Sequence, residues 1–141
     1  MRRSKVIVFV HIVWGTWDRM RTLEGEVKRV VYRAIGAKCY QLGADIIALG
    51  GVEDHIHLLT QLPATLAIAD LVKHVKGNSS HFVTQELRPQ QMFRWQGAYG
   101  AFSVSESELP SVREYIKHQP EHHASGTTIP EWEDVCEIGA K

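Results

Sequence analysis

The sequence predicts an α+β fold: a ferredoxin-like or RRM-like βαββαβ sandwich with a four-stranded, mainly antiparallel sheet and helices on one face. Short apolar runs alternate with two segments of helical periodicity. Two neighbouring runs meet at Gly50-Gly51 with no helix between them, which predicts a hairpin. The chain has 141 residues, enough for one domain with an ordinary hydrophobic core.

The predicted strands cover residues 6–14, 45–50, 55–61 and 97–105. A helix is expected over residues 24–42, where apolar residues recur every three or four positions before Gly43. A second apolar stripe runs from Ile68 to Val83. Ser105 and Glu108 have capping-box spacing for a third helix over residues 108–119. We therefore expect one domain over residues 1–123, followed by an acidic tail over residues 124–141.

The charge of the chain is balanced overall but unevenly distributed. It contains 16 Lys and Arg against 16 Asp and Glu, yet residues 1–38 hold nine basic and three acidic residues. A basic N-terminal part is compatible with phosphate binding, although a solvated helix face would give the same pattern. The two cysteines are too far apart to suggest a disulfide framework or a zinc site. With no export signal or membrane span, the expected location is the cytoplasm.

The segment His55-Ile56-His57 is the first candidate for chemistry. Side chains on a strand alternate between faces, so both imidazoles should point to one side and Ile56 to the other. Paired neutral imidazoles are good ligands for a divalent metal. Two unrelated histidines on a half-exposed strand remain the alternative interpretation.

The third predicted helix carries Tyr115 and Gln119, which are one turn apart on the same face. A tyrosine hydroxyl is a competent nucleophile once it is deprotonated. The amide oxygen of Gln119 can serve as a neutral ligand beside two imidazoles, in a site suited to Mg²⁺ or Mn²⁺. Taken alone this pair is a weak signal, since most such pairs lie on an amphipathic surface.

Five stretches in the same order resemble the HUH endonucleases, and among them the single-tyrosine insertion-sequence (IS200-like) transposases and their REP-associated relatives. They contain His11-Ile12-Val13-Trp14, then Gly51 to His57, Leu71 to Ser80, Trp95 to Ser105, and Val112 to His123. The resemblance spans residues 6–123. It implies that His55, His57 and Gln119 bind the metal and that Tyr115 is the nucleophile. Pro120 argues against a helix that continues unbroken past Gln119, because the residue before a proline is biased away from helical geometry.

The resemblance also implies a transposase that cuts and rejoins single-stranded DNA next to hairpins through a 5′-phosphotyrosine. The family acts as a homodimer, with no nucleotide cofactor and no membrane. Candidate phosphate contacts are Arg19, Arg21, Lys73 and Lys76. Trp95 could stack on an unpaired base or pack in the core. The alternatives are a domesticated hairpin-binding protein without mobility, an RRM-like nucleic-acid-binding module, or a hydrolytic metalloenzyme that forms no covalent adduct.

Overall fold

The computed structural model describes residues 3–87 and 93–133 of the chain. The strands are β1 (Phe9–Gly15), β2 (Asp45–Val52), β3 (His55–Gln61) and β4 (Gly100–Val104). The helices are α1 (Gly25–Leu42), α2 (Ile68–Leu87), α3 (Leu109–Lys117), α4 (Gln119–Ser125) and α5 (Pro130–Glu133). No helix in these ranges is long and apolar enough to cross a membrane.

The four strands form one sheet in the order β2-β3-β1-β4, and all three pairings are antiparallel. This order and the βαββαβ succession confirm the predicted α+β sandwich. β3 is a central strand, flanked by β1 and β2. In its register His57 lies between Val13 of β1 and Gly50 of β2.

Helices α1 and α2 cover one face of the sheet. Each buries most of the stripe expected from its sequence, and the two stripes meet even-numbered residues of β1 and β3. Phe82 belongs to the expected stripe of α2 but is exposed. The sheet residues in this core are Val10, Ile12, Trp14, Ile56 and Leu58. Because they are apolar and almost fully buried, this face forms the main hydrophobic core.

Helix α3 lies on the opposite face, where Val112 and Ile116 pack against Leu59 and Val104. It approaches β2 closely at Gly50, where an added Cβ would stand 2.5 Å from the carbonyl oxygen of Ile116. Only glycine leaves room for the backbone of α3 at this position. Gly50 and Gly51 lie within β2 and not at its end as expected, and the hairpin turn falls at Glu53-Asp54. The glycine at position 50 therefore sets how near α3 comes to the histidines of β3.

The structure differs from the sequence-based expectations near the C-terminus. The expected helix over residues 108–119 ends at Lys117, and α4 begins at Gln119 after a break at His118. Pro120 occupies the first turn of α4, where its missing N–H is tolerated. Part of the expected acidic tail is helical, since α5 lies within it, whereas residues 134–141 fall outside the described residues. Helices of seven and four residues are too short to show an apolar period.

Candidate active site

His55 and His57 point to the face of the sheet that α3 covers, and Ile56 points into the main core, as the alternation of a strand requires. Their exposed fractions are only 1% and 0%. The two rings lie 5.1 Å apart between centroids. The predicted paired-imidazole face is therefore present, and it is buried rather than half-exposed.

Each imidazole is held through its Nδ1 atom. The Nδ1 of His55 lies 2.7 Å from Asp54 Oδ1, and the Nδ1 of His57 lies 2.8 Å from the Nε2 of His11. Metal-ligating histidines commonly have such a partner, because it fixes both tautomer and ring orientation. Burial lowers the pKa of His11 to about 3, with the neighbouring His57 as a second cause, so His11 is neutral. Both Nε2 atoms are left facing the same space.

Glu133 of α5 occupies that space. Its Oε1 atom lies 3.0 Å from His55 Nε2 and 3.3 Å from His57 Nε2. Burial opposes ionisation of this carboxyl, but hydrogen bonds with His55 and His57 outweigh burial and lower its pKa. Burial alone would lower the pKa of His55, but Asp54 and Glu133 raise it to about 8. The ligand atoms of these three residues lie within 4.8 Å of one another, a grouping that could hold a metal ion.

Gln119 joins the same cluster from the first position of α4. It is fully buried, and its Oε1 atom lies 3.2 Å from His55 Nε2. Its Nε2 atom lies 3.4 Å from Glu133 Oε2. The Nε2 of His123, one turn further along α4, is 3.1 Å from Gln119 Oε1. Two imidazoles, a carboxylate and an amide oxygen form a donor set that suits a divalent cation.

Tyr115 completes the cluster from α3. Its hydroxyl donates to Glu133 Oε2 and accepts a hydrogen bond of 2.9 Å from the backbone N–H of Ile129. Its ring lies 5.8 Å from that of His57 and stacks on His122 at 4.8 Å. Burial, followed by the hydrogen bond to Glu133, raises the pKa of Tyr115 to about 12. The structure thus brings the phenol and the two imidazoles together within one chain.

The five residues predicted to contact DNA are not gathered at this cluster. Arg19 pairs with Asp54 at 3.5 Å, next to His55, and Arg21 lines an adjoining groove of about 580 Å³. Lys73 is exposed on α2. Lys76 donates to the carbonyls of Gln96 and Ala98 at 2.8 and 3.0 Å, and burial lowers its pKa to about 8.

Trp95, the fifth of these residues, is half-buried and packs against the main core. Its indole N–H donates to Ser79 Oγ at 2.9 Å, and its ring meets Trp14 and Phe93 edge-on. Its contacts in the described chain are therefore those of a packing residue. A DNA contact by Trp95 or by the four basic residues stays a prediction.

Sequence reasoning missed Glu133, His11 and His123 as parts of the cluster. Glu133 lies 76 positions from His57 in a segment without periodicity, so no local pattern indicates it. His11 could have been noticed, because it interrupts the apolar run of β1 on the face opposite Ile12 and Trp14. His123 lies one helical turn after Gln119, a spacing that could have indicated it.

Comparison with known proteins identifies relatives of this chain. Residues 5–119 match the family described as "Transposase IS200 like". The chain is 31% identical over 117 residues to the ISDra2 transposase TnpA of Deinococcus radiodurans, a match covering 77% of this chain and 81% of that protein. It is 26% identical over 124 residues to the transposase for insertion sequence element IS200 of Salmonella typhimurium, covering 84% and 81%.

Two solved structures share the fold. A candidate transposase from Deinococcus radiodurans superposes with a TM-score of 0.64 at 25% identity, covering 84% of this chain and 98% of that one. The REP-associated tyrosine transposase bound to a REP hairpin gives a TM-score of 0.67 at 16% identity, covering 91% and 74%. Since the family match takes in most of the chain, including His55, His57, Tyr115 and Gln119, this protein belongs to the IS200-like transposases.

Proposed function

We propose that this transposase is a metal-dependent single-strand DNA endonuclease and strand transferase with Tyr115 as its nucleophile. It would cut and rejoin single-stranded DNA next to hairpins through a 5′-phosphotyrosine. One observation carries the proposal: the Tyr115 hydroxyl and the Nε2 atoms of His55 and His57 converge on a single carboxylate in one subunit. A nucleophile beside a cation site is what a phosphoryl transfer needs.

The proposed reaction is an attack by the Tyr115 hydroxyl on a phosphodiester of the DNA. The Tyr115 oxygen forms a bond to phosphorus, the bond from phosphorus to the 3′-oxygen breaks, and that oxygen leaves as a free 3′-hydroxyl. The phenol loses one proton and the departing oxygen gains one, so the step is balanced. With a pKa of about 12, Tyr115 is protonated at neutral pH and loses its proton only as the new bond forms. A second 3′-hydroxyl can reverse the step, which rejoins DNA without ATP.

His55, His57 and Gln119 would hold the divalent cation, Mg²⁺ or Mn²⁺, and Glu133 adds a carboxylate to this set. When bound, the cation supplies Lewis-acid stabilisation for the charge on the phosphate. Asp54 and His11 keep the two imidazoles oriented. These residues would perform their task without a nucleotide cofactor.

The DNA would approach along the groove beside Asp54. Arg21 and Lys28 line this groove together with Glu24, Glu53 and Asp54, and Arg19 borders it through its ion pair with Asp54. Phosphate contacts there would therefore come from individual basic side chains and not from a uniformly positive surface. The REP-associated relative of the same fold was solved with a REP hairpin, which supports a hairpin partner for this chain. We further propose that the protein acts in the cytoplasm as a homodimer.

The test is covalent capture. Purified protein is incubated with Mn²⁺ or Mg²⁺ and end-labelled single-stranded DNA from the flanks of its own gene, then separated on a denaturing gel. The native protein should form an adduct that survives denaturation. Tyr115→Phe should bind the DNA but form no adduct, because it lacks the attacking oxygen.

Tyr40→Phe is the matched control, since Tyr40 is 89% exposed on α1. It should form the adduct at the native rate. An adduct that persists in Tyr115→Phe would show that another residue attacks. Cleavage without any adduct in the native protein would favour a hydrolytic metalloenzyme, and binding without cleavage would favour a domesticated hairpin-binding protein or an RRM-like module.

A further inference from the structure

The two oxygen atoms of Glu133 face different partners. Oε1 lies 3.0 and 3.3 Å from the Nε2 atoms of His55 and His57, on the side where a cation would bind. Oε2 accepts the hydrogen bond of the Tyr115 hydroxyl and lies 3.4 Å from Gln119 Nε2. One carboxylate therefore touches both the cation site and the nucleophile.

This position is held by packing. Trp132, the residue before Glu133, lies edge-on to the rings of Tyr115 and His11 at 5.0 and 5.9 Å. Trp132 also packs against the apolar cluster beneath α3. On the other side, the N–H of Ile129 donates to the Tyr115 hydroxyl. Tyr115 is thus contacted by three residues of the segment around α5: Ile129, Trp132 and Glu133.

The phenol oxygen is fixed by these contacts in two directions. It donates to Glu133 and accepts from Ile129, so rotation about the C–O bond is restricted. A hard carboxylate oxygen is also the ligand that Mg²⁺ and Mn²⁺ prefer beside neutral donors. The Glu133 side chain can bind a cation and orient the phenol at the same time, because its two oxygens carry equal charge and point in different directions.

We infer that Glu133 is a bridging catalytic residue, whose Oε1 binds the divalent cation while its Oε2 orients the Tyr115 hydroxyl. This inference rests on the proposed function for the role of Tyr115. It adds a carboxylate from the C-terminal segment to the ligand set His55, His57 and Gln119 that the family resemblance implies. Cation binding and placement of the nucleophile then depend on one side chain.

The first measurement needs no DNA. Mn²⁺ affinity is determined by titration calorimetry at fixed pH for the native protein, Glu133→Gln and Glu133→Asp. Glu133→Gln removes the charge and should weaken Mn²⁺ binding at least tenfold. Glu133→Asp retains the charge and should recover most of that loss. Glu131→Gln, two positions away and exposed, should bind Mn²⁺ as the native protein does.

The second measurement is the rate of adduct formation at saturating Mn²⁺. Glu133→Gln should be at least tenfold slower than native even when the cation site is full, because the phenol is no longer oriented. Unchanged Mn²⁺ affinity in Glu133→Gln, with a native unfolding curve, would overturn the inference. So would faster adduct formation, which would mean that Glu133 blocks the site. A further outcome separates the inference from the proposed function: the native protein forms no adduct, but Glu133→Gln binds Mn²⁺ more weakly than the native protein does. The proposed function would then fail, while Glu133 would still be a ligand of the cation.

Discussion

The two faces of strands β1 and β3 are equally buried but chemically opposite. Ile12 and Ile56 on one face and His11 and His57 on the other are all fully inaccessible to water. The first face is covered by α1 and α2, helices of 18 and 20 residues with apolar stripes. The second is covered by three helices of nine, seven and four residues, which bring in Gln119 and Glu133.

The contrast shows that burial serves two purposes in this fold. On the α1/α2 face, burial removes apolar surface from water and stabilises the sheet. On the other face, burial shields polar groups, and each needs a partner to offset its desolvation. Those partners are mostly other site residues, as in the pairs His55–Asp54 and His57–His11. Stability therefore depends mainly on one face and chemistry on the other, although the residues alternate along a single strand.

The largest expected effect is on the apolar face. Ile56→Ala should lower the free energy of unfolding by about 2–5 kcal/mol, because it leaves a cavity in a close-packed core. Urea unfolding followed by circular dichroism measures the change. The fraction that remains folded should bind Mn²⁺ with native affinity. A loss below ~1 kcal/mol would contradict the assignment of stability to this face.

The second effect concerns the contact between β2 and α3 at Gly50. A methyl group there would stand 2.5 Å from the backbone oxygen of Ile116, and backbone cannot move aside as a flexible side chain can. Gly50→Ala should cost about 1–3 kcal/mol of stability by displacing α3. It should also slow adduct formation, since α3 carries Tyr115.

Gly77→Ala is the matched control for this substitution. Gly77 lies inside α2, and a Cβ there would meet nothing within 4 Å. It should raise the free energy of unfolding by about 0.5–1 kcal/mol, because alanine favours the helix and restricts the unfolded chain. Equal responses at Gly50 and Gly77 would show that the close approach of α3 is not a constraint.

The third prediction concerns His11 on the polar face, where a substitution should change Mn²⁺ affinity much more than stability. The buried Nδ1 atom of His11 has no hydrogen-bond partner in the described chain, whereas its Nε2 atom lies 2.8 Å from His57 Nδ1. His11→Phe removes that unpaired atom but frees the Nδ1 of His57, so stability should change by less than ~1 kcal/mol. Mn²⁺ affinity, measured by calorimetry, should fall about 10–100-fold because His57 loses its orienting partner. A large loss of stability with native affinity would instead make His11 a packing residue.

The two faces also differ in how far the sequence predicted them. Local periodicity predicted the strands, both long helices and the common direction of His55 and His57, because each signal lies within a few residues. The capping box at Ser105 and Glu108 is present, but it caps a short 3-10 turn, Glu106–Glu108, that leads into α3. Elements covering the polar face were harder to predict. Pro120 indicated an interruption of the third helix, but no local pattern indicated that the chain resumes as α4 at Gln119. The short α5 packs through Trp132 against His11 of β1, a contact between distant residues.

Individual side chains show the same limit. The position of Glu133 beside His57 depends on Trp132 packing against Tyr115 and His11, contacts between residues far apart in sequence. Lys76 has the spacing of an exposed basic face, yet its ammonium is held by two loop carbonyls. Sequence spacing places a residue on a face of its own helix, but it does not reveal what the fold brings against that face.

The smallest expected change in stability comes from a variant that tests whether Trp95 packs in the core on the α1/α2 face. Ser79→Ala removes the acceptor of the Trp95 indole N–H and should cost about 0.5–1.5 kcal/mol in urea unfolding. Ser80 is half-buried, and its hydroxyl makes only a solvent-exposed hydrogen bond to the carbonyl of Gly77, so Ser80→Ala should change stability by less than ~0.5 kcal/mol. Neither variant should alter the affinity for single-stranded DNA measured by fluorescence anisotropy. If Ser79→Ala weakened DNA binding more than about threefold (~0.65 kcal/mol) with stability unchanged, the indole would contact DNA and Trp95 would belong to the functional surface rather than the core.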